Sequence, residues 1–257
     1  MKKFLSLISC AITVSTVLHS QEIKIPVSNA KAARLMLVNL YTTGAIEGYD
    51  GNEIIIAREN FKPSPERAKN MTPIYAAGND NTGIGLNVDK TESVITITGL
   101  VPHQQHPRYH IRVPQWLMLS IQCDCFMNDT LFVKNLKNNL EVRACYSVNV
   151  RNIEGAILVS NSNGVIDVAL KTTDRDWPVS LVSFNAEIDV TLPAHAKASI
   201  EMNSVNGNVY SDFKINTPSA GKEKTHEQAD KIKLQLSQGG PSIKITNSSG
   251  DIYLRKG

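Results

Sequence analysis

Apolar and polar residues alternate in short runs along most of this chain, and corners rich in Asn and Gly separate the runs. The clearest stretch lies between Asn135 and Phe213. It repeats one short phrase: Asn135–Val142, Asn152–Val159, Asn163–Val168, Asn185–Val190 and Asn206–Ser211. Each phrase is a corner followed by apolar–polar–apolar alternation, which places every second side chain on one face of a strand. Asn and Gly suit the corners because they tolerate positive φ. The corners fall at 138, 155, 164, 185 and 207, and the pattern returns at Ser248-Ser249-Gly250-Asp251-Ile252-Tyr253-Leu254, 43 residues after Gly207. A step near 20 residues makes 43 residues two steps. Short strands and corners at such a period predict an all-β chain wound as a single-domain parallel β-solenoid, right-handed by the usual chirality of parallel crossovers. A β-sandwich is the structural alternative. Inward Ile157, Val159, Ile166, Val168, Ile188, Val190 and Val209 are expected in the core.

Outside that stretch the pattern is less regular. Glu22–Val27 alternates weakly as a first strand. Ala30–Leu40 has the Ala, Lys, Arg and Leu content of a helix but runs into strand-like sequence, so it reads either way. Asn39–Glu47 is an early copy of the phrase, followed by a turn at Asp50-Gly51-Asn52 and the strand-forming Ile54-Ile55-Ile56. Residues 58–82 hold Pro63, Pro65 and Pro73 and read as a loop. Ile84–Val88 and Val94–Thr98 read as paired strands around Asp89-Lys90-Thr91, and Tyr109–Pro114 as a strand ending at proline. Trp116–Ile121 opens the regular region. Residues 215–231 read as a polar excursion, and Ile232–Leu236, Ile243–Ile245 and Ile252–Leu254 as closing strands. Segments 22–60 and 232–257 are expected to cap the ends, because bare terminal windings expose unpaired strand edges.

The N-terminus changes the picture of location. Lys2 and Lys3 precede an apolar run from Phe4 to Leu18, and Leu18-His19-Ser20 stands before Gln21, as in an export signal spanning residues 1–20. Residues 21–257 are then the mature domain, exported to the periplasm or cell surface. Leu7-Ile8-Ser9-Cys10 is the competing lipobox-like reading, with Cys10 lipidated. Cleavage after Ser20 takes two of the 27 basic residues and none of the 24 acidic ones, leaving a net charge of +1. Net charge therefore implies neither a nucleic-acid nor a polyanion partner. Cys123, Cys125 and Cys145 remain. Alternation puts Cys123 and Cys125 on the inner face and Cys145 outward or in a corner, so buried free thiols are expected over a Cys123–Cys145 disulfide.

The order of several motifs is similar to that of the DUF4097 family, adhesin-like proteins of the bacterial envelope. The motifs are Gly48–Ile56, Ile111-Arg112-Val113-Pro114 before the repeats, Ile188–Pro193 followed by Ser204–Phe213, and the end from Gly239-Gly240 to Ser248–Ile252. Together they span most of residues 33–257, and the early Gly-Tyr-Asp-Gly turn resembles members from Bacteroidota. The resemblance implies a β-helix-like fold and export, and it carries no catalytic residues.

Two constellations bear on chemistry. Asp167, Asp189 and Tyr210 occupy equivalent places in three successive phrases, so they predict an outward column about 4.8 Å apart. Carboxylates at that spacing serve acid–base chemistry or calcium in some polysaccharide enzymes, with Arg143, Arg151 and Lys171 as the basic groups nearest in sequence. A solvated ladder is the simpler reading. His103, His106 and His110 crowd one stretch, but Pro102 and Pro107 interrupt the helix that would aim them at a zinc ion, and no carboxylate is close in sequence. No phosphate-cradling loop, Gly-x-Ser-x-Gly or Cys-x-x-Cys occurs. The expectation is a non-enzymatic envelope protein contacting a protein or glycan, with no cofactor, metal or catalytic set. A glycan lyase or hydrolase using Asp167 and Asp189, and a self-assembling structural solenoid, are the alternatives.

Overall fold

The computed structural model describes residues 21–27, 33–40, 45–123, 130–214 and 231–257. In chain order the strands are β1 (Gln21–Pro26), β2 (Arg34–Val38), β3 (Ala45–Tyr49), β4 (Glu53–Arg58), β5 (Ile74–Tyr75), β6 (Gly78–Asn79), β7 (Leu86–Lys90) and β8 (Val94–Gly99). Then come β9 (Tyr109–Pro114), β10 (Met118–Gln122), β11 (Leu131–Leu136), β12 (Leu140–Ala144), β13 (Val148–Ile153), β14 (Ile157–Asn161) and β15 (Ile166–Ala169). The last are β16 (Val179–Ser183), β17 (Ile188–Leu192), β18 (Ala198–Asn206), β19 (Val209–Ser211), β20 (Lys231–Leu236), β21 (Ser242–Ser249) and β22 (Ile252–Lys256). Among the described residues no α-helix forms; Glu66–Ala68 and His103–Gln105 are single 3-10 turns. The fold is all-β.

All but β5 and β6 lie in two ten-stranded sheets. The first runs β1-β4-β9-β3-β11-β13-β15-β17-β22-β19 and the second β20-β18-β21-β16-β14-β12-β10-β2-β8-β7. The pairing is parallel from β9 to β19 in the first sheet and from β18 to β8 in the second, and strands adjacent in sequence, such as β10 and β11 or β12 and β13, fall in different sheets. Alternation explains the burial. β14 and β17 bury every second residue, and equivalent residues stack across strands: Leu35, Leu119, Leu140, Ile157, Val179 and Ile243 in the second sheet. Val133, Val150, Val168, Val190 and Leu254 do the same in the first. Both stacks belong to one continuous core. Six of the seven core residues expected from the pattern are at most 2% exposed; the exception, Val209, is only partly buried, because β19 is the last strand of its sheet.

The corners use Asn and Gly for different reasons. Asn39, Asn135 and Asn152 have positive φ, at 50°, 62° and 54°. Asn152 donates to Asn135 Oδ1 at 2.8 Å, and Asn135 to Glu47 Oε1 at 3.1 Å, so the corner amides form a ladder. Gly155, Gly164 and Gly207 have no such φ; a Cβ on any of them would overlap the backbone of a neighbouring corner. Close approach, not a left-handed turn, requires glycine there. A second corner is lined inside by Asn161, Ser183 and Asn247, which are in register, at most 1% exposed, and hydrogen-bonded to turn carbonyls such as Tyr146 O, Ala186 O and Gly250 O.

Spatial order departs from chain order at both ends. β2 and β3 sit inside β8 and β9, and β21 and β22 insert between the β16/β17 pair and the β18/β19 pair. Gly207 and Gly250 are therefore not two steps apart: Val209 pairs directly with Ile252. Segment 232–257 does not cap as a unit either. β20 caps the second sheet, antiparallel to β18, while β21 and β22 are interior. At the other end only β1 and β4 of segment 22–60 cap, its β2 and β3 being interior, and β7 closes the second sheet, all three through antiparallel pairing. The helix-leaning segment 30–40 supplies β2, whose Leu35 and Leu37 are fully buried between β8 and β10. Period-2 burial on both sides overrides the weak helical propensity.

Candidate functional site

The expected acidic column exists, but its membership differs. On the outer face of the first sheet the register places Phe132, Asn149, Asp167, Asp189, Tyr253 and Tyr210 side by side on successive strands. Tyr253, not Tyr210, follows Asp189, because β22 intervenes. The neighbouring outward column contains Glu47, Lys134, Arg151, Ala169, Thr191 and Arg255. Outward side chains two residues apart on a strand meet diagonally, and opposite charges were placed on those diagonals.

Each carboxylate is held separately. Arg151 donates through Nη2 to Asp167 Oδ2 at 2.6 Å, and Asn149 Nδ2 donates to the same oxygen at 2.8 Å. Both partners stand on β13. Asp189 Oδ2 instead accepts from Arg255 Nε at 2.7 Å, on β22 at the opposite side. The hydrogen bond to Asp189 and the attraction of its charge hold the Arg255 proton more tightly than usual. Neighbouring carboxylates would repel if they faced a common solvent gap; here each is drawn toward a different guanidinium. Next to Asp189, Tyr253 and Tyr210 stack at 5.3 Å between centroids with 12° between their planes, and the Arg255 guanidinium lies 5.2 Å from the Tyr253 centroid. Desolvation, followed by the Glu187 and Asp251 carboxylates, raises the Tyr253 pKa.

Of the basic groups nearest in sequence, only Arg151 reaches the column. Arg143 is on β12 of the other sheet and pairs with Glu141 at 3.1 Å, and Lys171 is exposed in the turn after β15. The histidine stretch forms no metal cluster: among the described residues no three His, Cys, Asp or Glu side chains gather. Tertiary structure does bring a carboxylate to it, since Glu59, just past β4, contacts His110. Cys123 is buried as expected, but Cys145 is disulfide-bonded, which corrects the free-thiol reading at that position. Cys145 stands in the turn directly after β12. Cys125, Cys10, the export segment and the 215–230 excursion lie outside the described residues.

No protein-family model and no curated protein matches the chain. Two solved structures do. One, provisionally named a cell adhesion protein, from Clostridium sporogenes ATCC 15579, is 12% identical with a TM-score of 0.46, over 93% of this chain and 100% of that one. The other, provisionally named an adhesin, from Bacteroides fragilis NCTC 9343, is 11% identical with a TM-score of 0.39, over 94% of this chain and 98% of that one.

One further polar cluster is buried near the β9 end. Asp80 accepts from the backbone N–H groups of Thr82 and Gly83 at 2.9 Å and Gly85 at 2.7 Å. Arg58 Nη1 and the Tyr109 hydroxyl both donate to Ile84 O, at 3.1 and 2.8 Å. The cluster ties the 80–85 loop to β4 and β9. Alternation alone misses it, because Arg58 and Asp80 are charged residues at buried positions. Tyr253, Arg255 and Asn149 were also missed as members of the acidic column. Their outward parity was readable, but their neighbours were not.

Proposed function

We propose that the chain is an exported, non-enzymatic, adhesin-like scaffold of the bacterial envelope, allied to the DUF4097 proteins, whose strand faces contact a protein or glycan. In this reading the two sheets are the long sides of one flattened solenoid, right-handed by the chirality of parallel crossovers. The stacking of equivalent residues strand upon strand supports it, as does the alternation of consecutive strands between sheets. The observation that carries the functional reading is the separate neutralisation of Asp167 and Asp189. General acid–base catalysis needs one carboxyl held protonated or two acting on a shared substrate bond. Carboxylates tied to guanidiniums on opposite sides of an open sheet face instead make a rigid, charge-patterned surface for contact. The disulfide at Cys145 and the signal-like residues 1–20 support a location outside the reducing cytosol.

The test is a paired assay of turnover and adhesion. The purified protein is incubated with a broad panel of polysaccharides while reducing ends and unsaturated products are followed, and its retention on immobilised envelope proteins and glycans is measured alongside. Retention without product is the expected result. Product formation that disappears in the Asp167→Asn/Asp189→Asn variant would overturn the scaffold reading in favour of a glycan lyase or hydrolase.

A further inference from the structure

Along the edge where the chain passes from the first sheet to the second, most corners are short. Residues 115–117, 137–139 and 154–156 carry it from β9, β11 and β13 to the strands that follow. The corner between β15 and β16 takes residues 170–178 and bears Trp177, which is 46% exposed. Three residues suffice to turn the chain, so the core does not demand the surplus. Enlarged corners of a repeating fold collect on a binding face, because there they can vary without disturbing the stack. A large aromatic ring left half in water is the informative exception on such a surface.

The loop is tethered on two sides. Thr173, 6% exposed, accepts from the Lys197 backbone N–H at 2.9 Å, toward β18. Arg175 Nη1 lies 3.0 Å from Glu154 Oε2, toward β14. Where the chain enters β16, Pro178 O accepts from Ile157 N at 3.0 Å. The indole is therefore in place before any ligand arrives, which removes an ordering cost from binding. Trp177, Arg175 and Glu154 line one shallow cleft, which encloses about 20 Å3, room for about one water, so a ligand lies across it rather than within it. Glu154 and Arg175 both reach solvent, and one contact between them leaves lone pairs on the carboxylate and N–H groups on the guanidinium unspent. Vicinal hydroxyls, each a donor and an acceptor, answer both. Asp174 and Asp176, exposed on either side of Arg175 in the chain, disfavour an anionic ligand. A proline-rich segment would suit the indole but lacks the N–H donors that Glu154 needs.

We propose that this corner binds a neutral oligosaccharide, one sugar ring lying on the Trp177 indole while Glu154 and Arg175 share its hydroxyls. The proposal rests on the scaffold reading and names its ligand class. The C–H face of a pyranose covers the indole without desolvating a charge, and the hydroxyls at the ring's rim reach the ion pair. No counterion is released on binding, so affinity depends little on salt. A single ring on a shallow cleft binds weakly, and retention on a surface grows from many copies meeting a repeating glycan.

The experiment titrates the full chain with cellopentaose, maltopentaose, laminaripentaose and penta-N-acetylchitopentaose, with pentagalacturonate as the acidic counterpart and a polyproline peptide as competitor. The chain has two tryptophans, so in Trp116→Phe the emission reports Trp177 alone. A saturable change in that emission with at least one neutral sugar is expected, nearly the same at low and high salt, with none from pentagalacturonate. By calorimetry Trp177→Ala should weaken binding about tenfold and Trp177→Phe less, because a ring is kept. Glu154→Gln should weaken it with the melting temperature unchanged. Phe184→Ala, which removes a 52% exposed ring from another corner, should leave it unaltered. The site is refuted if no neutral sugar binds, if Trp177→Ala and Phe184→Ala lower binding equally, or if pentagalacturonate or polyproline binds as well as the best neutral sugar. Retention on an immobilised protein or glycan that survives Trp177→Ala would remove this site and leave the scaffold standing, whereas product formation in the turnover assay would remove the scaffold.

Discussion

Tyr109 keeps its hydroxyl inside the protein, donating to Ile84 O from a ring that is 1% exposed. Burial pushes its pKa well above the usual tyrosine value near 10, with the Arg58 charge opposing. A raised folded-state pKa means that the contribution of this group to stability is fully present below about pH 10 and is lost as pH climbs from there toward the folded value. Alkaline melts of the wild type should therefore fall steeply above pH 10, and Tyr109→Phe should flatten that fall while costing about 1 kcal/mol at neutral pH through its lost hydrogen bond. Equal alkaline slopes for the two proteins would refute this assignment. Gly164 makes a different demand. A Cβ there would run into the backbone of Tyr146 and Ser147, with no flexible side-chain end to move aside. Gly164→Ala should cost about 1–3 kcal/mol by denaturant unfolding, in the manner of other overpacked sites.

At the scale of the strand, two terms of different size are superposed. Inward residues such as Ile166 and Val190 touch equivalents on both neighbouring strands and are completely buried. Ile166→Ala should cost about 2–4 kcal/mol, since the stack above and below cannot collapse into the gap. The outward diagonal pairs are worth far less. Arg255–Asp189 is half-exposed on the arginine side, and an ion pair of that kind contributes about 1 kcal/mol or less. Asp189→Asn should thus leave the melting temperature within a few degrees of wild type, and a collapse of stability on that change would show the ladder to be structural rather than a contact surface. The sheet holds through its inner face. Its outer face is free to be specified for something else.

For the molecule as a whole, the interior position of β21 and β22 has a mechanical consequence. In a solenoid wound strictly in chain order, cutting off the last residues removes only the last winding. Here residues 242–256 lie between β16/β17 and β18/β19, so a chain ending at Leu236 should lose β18–β20 together with the missing strands. Limited proteolysis and circular dichroism should find β18–β20 unfolded in that truncation. An intact protease-resistant core reaching β20 would contradict the strand order. The ends also bear on assembly. Antiparallel β1 and β4, β7 and β20 close three of the four sheet ends, and among the described residues the fourth ends at β19, only three residues long. A three-residue edge, and edges that carry Lys24, Lys90, Lys231 and Lys233, give a second copy little to pair with. Light scattering after size exclusion should find a monomer, and filaments would favour the self-assembling alternative.

Strand positions and the inward set were legible from the chain alone because alternation is local: whether Ile188 or Asp189 faces the core depends on the parity of a few residues around it. The acidic column was legible for the same reason, as far as Asp167 beside Asp189. Which strand lies next to which was decided only in three dimensions. Every phrase presents the same apolar face, so β19 or β22 would follow β17 equally well by pattern, and the parallel pairing of β17 with β22 depends on contacts 64 residues apart in sequence, as Ile188 with Ile252. The features that hang on this choice were out of reach of periodicity: Arg255 reaching Asp189, Tyr253 stacking on Tyr210, Glu59 meeting His110, and Lys231 and Lys233 reaching Glu201. Each joins residues distant along the chain, and a repeat whose copies are interchangeable carries no record of the order in which they stack.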